Sequence, residues 1–127
     1  MANTLRALMM IAIFTILASV TAGDTGLATY YTTYVPSACY GYTDEGTMIA
    51  AASPAIYNNG AACGRMYQVT CTGAANGGGY PCTGASVTVK VVDLCPGCQG
   101  AFDLSQQAFA AIANLDAGVI QIEYDQV

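Results

Sequence analysis

The chain has 127 residues, three Lys or Arg against eight Asp or Glu, a net charge of −5 and no His. So few cations exclude a nucleic-acid backbone or an anionic membrane surface as partner, since both need clustered Lys and Arg. The missing His excludes Ser-His-Asp and Cys-His nucleophilic sites and His-ligated metals.

The first residues read as a leader. Arg6 and the amino terminus make a positive start, and Leu8–Ala18 (LMMIAIFTILA) is an uncharged apolar run. Val20-Thr21-Ala22 then offers small residues where signal peptidase looks for them. The apolar run is short of the roughly 20 residues needed to cross a bilayer. A signal peptide over 1–22 is therefore expected, cut after Ala22 or Gly23, with one domain over 23–127. All six Cys (39, 63, 71, 82, 95 and 98) fall in that domain. An even count behind a leader implies disulfides made in an oxidising compartment, here outside the cell.

Leu27–Val35 (LATYYTTYV) predicts a first strand. Alternation puts Thr29 and Tyr31 on one face and Tyr30 and Thr32 on the other. Pro36–Gly46 is a loop holding Cys39 and the acidic pair Asp44-Glu45. That pair reads as a solvated turn, because calcium needs several more oxygen ligands at regular spacing. Thr47–Ala52 is a small-residue strand or buried segment, broken by Ser53-Pro54. Asn58-Asn59-Gly60 is a turn.

Cys63–Cys71 alternates Met66 and Gln68 against Tyr67 and Val69 and predicts a strand. Thr72–Tyr80 is Gly-rich and exposed, and no Lys-Ser/Thr follows to make it a phosphate cradle. Ala85–Asp93 is the clearest strand, with Val87, Val89 and Val91 on one face. Cys95–Gly100 turns the chain. Ser105–Ala113 predicts a short helix with Ser105 as N-cap and a stripe of Ala108, Phe109 and Ile112. Val119–Tyr124 closes the domain, with Ile120, Ile122 and Tyr124 inward. Short strands with one late helix imply a small, mostly β barrel rather than a βαβ sheet.

Two features carry chemistry. Cys95-Pro-Gly-Cys98 has the spacing of a redox motif, of half a metal site, or of a structural disulfide in a tight turn. Asp93 and Asp103 stand at the end of a strand and just before a helix. A glycosidase needs two carboxyl groups roughly 5–9.5 Å apart, and a turn brings such residues together. The structural alternative is that Asp103 satisfies N–H groups at the helix start while Asp93 pins the turn.

Val89–Ala113 (VKVVDLCPGCQGAFDLSQQAFAAIA) resembles the barrel domain shared by expansins, family-45 endoglucanases, barwin and the expansin-like EG45 proteins of plants. Ala28-Thr29-Tyr30-Tyr31, Ala38-Cys39-Tyr40-Gly41, and Cys63-Gly64 with Cys71 extend the likeness over nearly all of the domain. CPGC followed by FDLS, with no second carbohydrate-binding domain, is most similar to the plant natriuretic peptide branch.

The resemblance implies a six-stranded double-psi β-barrel. It implies disulfides Cys39–Cys63 and Cys71–Cys82, which leave Cys95 and Cys98 for each other. It matches Thr29, Tyr31, Asp93 and Asp103 to the polar groove of expansins. The His of the expansin HFD is Ala101 here, and the endoglucanase base expected near the end of the first strand is absent from Tyr31-Thr32-Thr33-Tyr34. Asp103 is thus an acid without an evident base.

The expected function is a secreted, non-catalytic apoplastic protein acting as a signal in water and solute homeostasis. Cleavage or binding of a wall polysaccharide in the Asp93/Asp103 groove is the alternative. The expected partner is a cell-surface receptor or a wall polysaccharide, with no nucleic acid, no cofactor, no metal and a monomeric state.

Overall fold

The computed structural model describes residues 23–127, so the expected leader at 1–22 lies outside the described residues. Six strands form: β1 (Asp24–Tyr31), β2 (Ile49–Ala52), β3 (Met66–Ala74), β4 (Ser86–Leu94), β5 (Phe102–Ser105) and β6 (Ile120–Gln126). They are joined by helices α1 (Pro54–Tyr57) and α2 (Gln106–Ile112) and by single 3-10 turns at Asn58–Gly60 and Leu115–Ala117. The strands neighbour one another in the order β1-β5-β2-β4-β3-β6, and β6 returns to β1 to close a barrel. β1/β5 and β2/β4 are parallel and the other pairs antiparallel. Among the described residues, closure leaves no long strand edge open to a second chain.

Alternation fills the barrel. Ala28 of β1, Ala50 and Ala52 of β2, Val69 and Cys71 of β3, and Val87, Val89 and Val91 of β4 point inward. Phe102 and Leu104 of β5 and Ile120 and Ile122 of β6 complete the ring. Phe102 meets Tyr67 and Tyr124 at ring distances of 5.1 and 5.2 Å. Helix α2 lays Ala108, Phe109 and Ile112 onto this core, and Phe109 sits 4.9 Å from Tyr30. Ser105 caps α2 as expected, its Oγ accepting from Ala108 N at 3.0 Å.

The three disulfides are Cys39–Cys63, Cys71–Cys82 and Cys95–Cys98, as the resemblance implied. Cys39–Cys63 joins two loops, Cys71–Cys82 ties β3 to the loop before β4, and Cys95–Cys98 closes one turn.

Several boundaries differ from expectation. β1 begins at Asp24 and stops at Tyr31, not at 27 and 35. Asp24–Ala28 gains its ladder from β6, a partner almost a hundred residues away that local composition does not announce. β3 starts at Met66 because Gly64, at φ +83°, still belongs to the preceding turn. Ser53-Pro54 breaks β2 as expected but also opens α1, since Pro is tolerated in a first helical turn. Phe102–Ser105, expected to lead straight into the helix, is the strand β5. Asp103 is therefore a strand residue, and the capping role considered for it belongs to Ser105.

Candidate functional site

The site is a single row across the outside of the barrel. Thr29 pairs with Asp103 across β1/β5, Asp103 with Ala51 across β5/β2, and Ala51 with Asp93 across β2/β4. Thr29, Asp103 and Asp93 are partly exposed, and Ala51 lies buried between the two Asp. With strands about 4.8 Å apart, Asp93 and Asp103 stand on backbones roughly 10 Å apart, one alanine between them. The four expected groove residues, Thr29, Tyr31, Asp93 and Asp103, are thus on the same side of the barrel.

Asp93 belongs to this row only because of a bulge. Strict alternation after Val87, Val89 and Val91 sends residue 93 into the core with the valines. In β4 the register steps by one extra residue, so Ala50 faces Val91 while Ala51 faces Asp93. Val92 is the inserted residue, buried and outside the main core cluster. A bulge re-aims the side chain that follows it. Here it turns a carboxylate out of an apolar interior where it would be unpaired and costly.

The loop before Cys39 then holds the bulge in place. Cys39 N donates to Val92 O at 3.0 Å, and Ala38 N donates to Asp93 Oδ1 at 2.9 Å. The same Oδ1 accepts from its own Leu94 N at 2.9 Å. Asp93 therefore holds the Ala38–Cys39 loop rather than the Cys95–Gly100 turn considered for it, and its Oδ2 makes no hydrogen bond among the described residues.

Asp103 is half-buried and accepts from Thr29 Oγ1 at 2.8 Å. Burial pushes its carboxyl above the ordinary range, and the Thr29 hydrogen bond pulls the other way. Tyr31 lies beside both carboxylates. Its hydroxyl is buried and makes no hydrogen bond among the described residues. Burial first, and then the fields of Asp93 and Asp103, push its phenol well up, so it is a proton donor at any ordinary pH. Tyr34 packs edge-on against Tyr31 at 5.2 Å, donates to Gln107 Oε1 at 2.6 Å and accepts from Gln106 N. That pair ties the end of β1 to the start of α2.

Sequence reasoning missed Ala51, which forms the floor between the carboxylates, and Val92, which aims one of them. The signal for the bulge was present: Val91-Val92 places two apolar residues side by side where a period of two allows one. It also read Asp44-Glu45 as one solvated turn. Asp44 fits that, accepting from Gly46 N, but Glu45 pairs with Lys90 Nζ at 3.0 Å. Lys90 in turn lies 4.7 Å over the Tyr40 ring, which draws Glu45 down onto the barrel.

A mainly apolar hollow of about 370 Å³ continues from Thr29 toward the Cys95–Cys98 turn, lined also by Leu27, Gln99 and Phe102. A hollow of about 390 Å³ beside Tyr80, Asn114 and Asp116 shares no residue with the row. Cys95 and Cys98 are joined, so neither offers a thiolate to a metal. No cluster of metal-ligating side chains occurs among the described residues. No helix there is long and apolar enough to cross a membrane.

Comparison with known proteins identifies the family and the fold. A double-psi β-barrel family described as lytic transglycolase matches residues 49–124, more than half of the chain. An EG45-like domain containing protein of Citrus jambhiri is 58% identical over 114 residues, covering 87% of this chain and 87% of its own. EG45-like domain containing protein 2 of Arabidopsis thaliana is 43% identical over 120 residues, covering 93% of this chain and 92% of its own. Among solved structures, a mutant Clavibacter michiganensis expansin in complex with cellohexaose superposes with a TM-score of 0.64 at 33% identity. It covers 82% of this chain, which spans 50% of that expansin's length. The chain belongs to the EG45-like, expansin-related family of double-psi β-barrels.

Proposed function

We propose that the protein is a secreted, non-hydrolytic binder of an extended β-glucan-type polysaccharide, held along the Thr29–Asp103–Ala51–Asp93 row. The observation that carries this reading is the bulge at Val92, which brings a second carboxylate onto a face that already holds a Thr–Asp pair. A sugar chain presents rows of hydroxyls, and open carboxylate oxygens and a buried phenol donor are the groups that recognise hydroxyls. Ala51, between the carboxylates, is buried and puts no bulky side chain of its own into that space. The expansin at 33% identity with cellohexaose bound supports the same class of ligand.

Turnover is not expected. Hydrolysis by two carboxylates needs one group to donate a proton and another to activate water. Asp103 has the raised pKa of a donor. Asp93 has one oxygen taken by two backbone N–H groups. The test is titration calorimetry with cellohexaose and xyloglucan oligosaccharides, run beside reducing-end and muropeptide release assays on the same sample. Binding without release is the expected result, weakened at least tenfold in Asp93→Ala. Release abolished by Asp103→Asn makes the protein an enzyme. No binding to any wall polymer ends the reading.

A signalling role in water and solute homeostasis, through a receptor in the apoplast, is the second reading. What favours it is that the EG45-like relatives are matched over 87% and 92% of their own length, so a barrel of this size is nearly all that they are. Its test is the swelling of protoplasts, which have no wall, on addition of purified protein. Absence of swelling at micromolar protein removes it.

A further inference from the structure

We propose that the chain is cut between Ala22 and Gly23 and that the α-ammonium so created is clamped by the carboxylates of Glu123 and Asp125. The sequence alone left two cut sites open, after Ala22 or after Gly23. The structure separates them by what surrounds Gly23.

Gly23 N already donates to Glu123 Oε1 at 3.0 Å, across a hundred residues of sequence. The Asp125 carboxylate sits on the other side. A Cβ placed on Gly23 falls 2.7 Å from both Asp125 oxygens. The two carboxylates therefore close around a residue without a side chain. They sit on β6 at the strand end that pairs with Asp24, where the register begins with Asp24 opposite Tyr124. Asp24, Glu123, Tyr124 and Asp125 lie together at this end of the barrel, with Tyr67 packed against Tyr124. The described residues contain two basic side chains, Arg65 and Lys90, and the one ion pair among them is Lys90–Glu45. Asp24 pairs with Tyr124 and shares its face of the sheet, so the two carboxylates against Gly23 are those of Glu123 and Asp125, with no side-chain cation paired to them among the described residues.

A backbone amide supplies one neutral donor there. A free α-amino group supplies a positive charge and three donors, enough for both carboxylates. Val20-Thr21-Ala22 places small residues at the positions a leader peptidase requires, with the cut falling immediately before Gly23. The reaction is hydrolysis by a secretory-pathway endopeptidase. Water adds across the Ala22–Gly23 amide, leaving a carboxylate on Ala22 and an ammonium on Gly23. A cut one residue later removes the Gly that fits, and with it the nitrogen that Glu123 holds, and moves the α-ammonium to Asp24.

Two measurements test this. The full chain is expressed in a plant secretory host, and the intact mass and amino-terminal sequence of the secreted protein are read. A start at Gly23 is expected, and a start at Asp24 or elsewhere overturns the proposal. The secreted protein is then transaminated with pyridoxal phosphate, which turns the Gly23 ammonium into a neutral glyoxylyl group and spares Lys90. The melting temperature should fall by about 3–8 °C. Glu123→Gln should lower it by a similar amount before transamination and by little afterwards, as two halves of one interaction do. Equal losses from Glu123→Gln before and after overturn the clamp. Should Glu123→Gln fail to be secreted, Asp125→Asn is read in the same cycle by the same criterion.

Discussion

Tyr31 is the residue on which stability and binding pull apart. A buried hydroxyl with no partner carries a desolvation penalty of about 1–3 kcal/mol. Tyr31→Phe removes that group and leaves the ring in its edge-on contact with Tyr34. The variant should be as stable as the parent or more so, by up to about 1 kcal/mol, and should bind cellohexaose several-fold more weakly. Thermal unfolding and calorimetry on the same preparation read both quantities. A clear loss of stability means that the hydroxyl has a partner in solution. Asp103 shows the same tension through pH. Its carboxyl is raised in the folded state, so the folded chain holds the proton more tightly than the unfolded one. Stability therefore falls as pH rises from the unfolded carboxylate value near 3.9 through the folded value, and stays lower above it. Asn keeps an Oδ1 to accept from Thr29 and carries no charge. Asp103→Asn should melt higher than the parent at pH 7 and lose that advantage at pH 3. An equal shift at both pH values would sink the argument.

At the scale of elements, β5 and α2 share one hinge, Ser105. Its Oγ donates to Thr47 O and accepts from Ala108 N, so one hydroxyl joins the loop before β2 to the start of α2. Ser105→Ala removes a cap and the hydrogen bond to the Thr47 carbonyl, and should cost about 1–2 kcal/mol of unfolding free energy in urea titration. A cost below about 0.5 kcal/mol would mean that water replaces both bonds. Ser105 was legible as a cap from its place before Ala108, Phe109 and Ile112. The strand that ends on it was not. Phe102–Ser105 is four residues long, and its apolar residues alternate with one Asp in a pattern that a helix approach also shows. What makes it a strand is pairing with β1 on one side and β2 on the other, both distant in sequence. β4 and β6 announced themselves because they are long enough for period two to repeat. The site divides in the same way. The residue types of the row were readable, and the face on which Asp93 stands was not, because one inserted valine decides it.

For the whole molecule, closure and stapling act on the same end of the barrel as the site. A domain of this size buries a modest core and gains from cross-links. Cys39–Cys63 closes the longest of the three loops, 24 residues, and chain entropy gives it about 3 kcal/mol. It also anchors the Ala38–Cys39 segment that caps Val92 and holds Asp93. Cys95–Cys98 closes a separation of 3 residues and constrains the unfolded chain far less. Replacing Cys39 and Cys63 together by Ala should lower the melting temperature by more than 10 °C. It should also weaken glycan binding beyond what that instability explains, because Asp93 loses its tether. The comparison is made well below the melting point, where both proteins are folded. The Cys95→Ala, Cys98→Ala pair should shift melting by only a few degrees and disturb binding only through the hollow beside Thr29. The reverse ranking would make the Cys95–Cys98 turn the part of the barrel that the groove depends on.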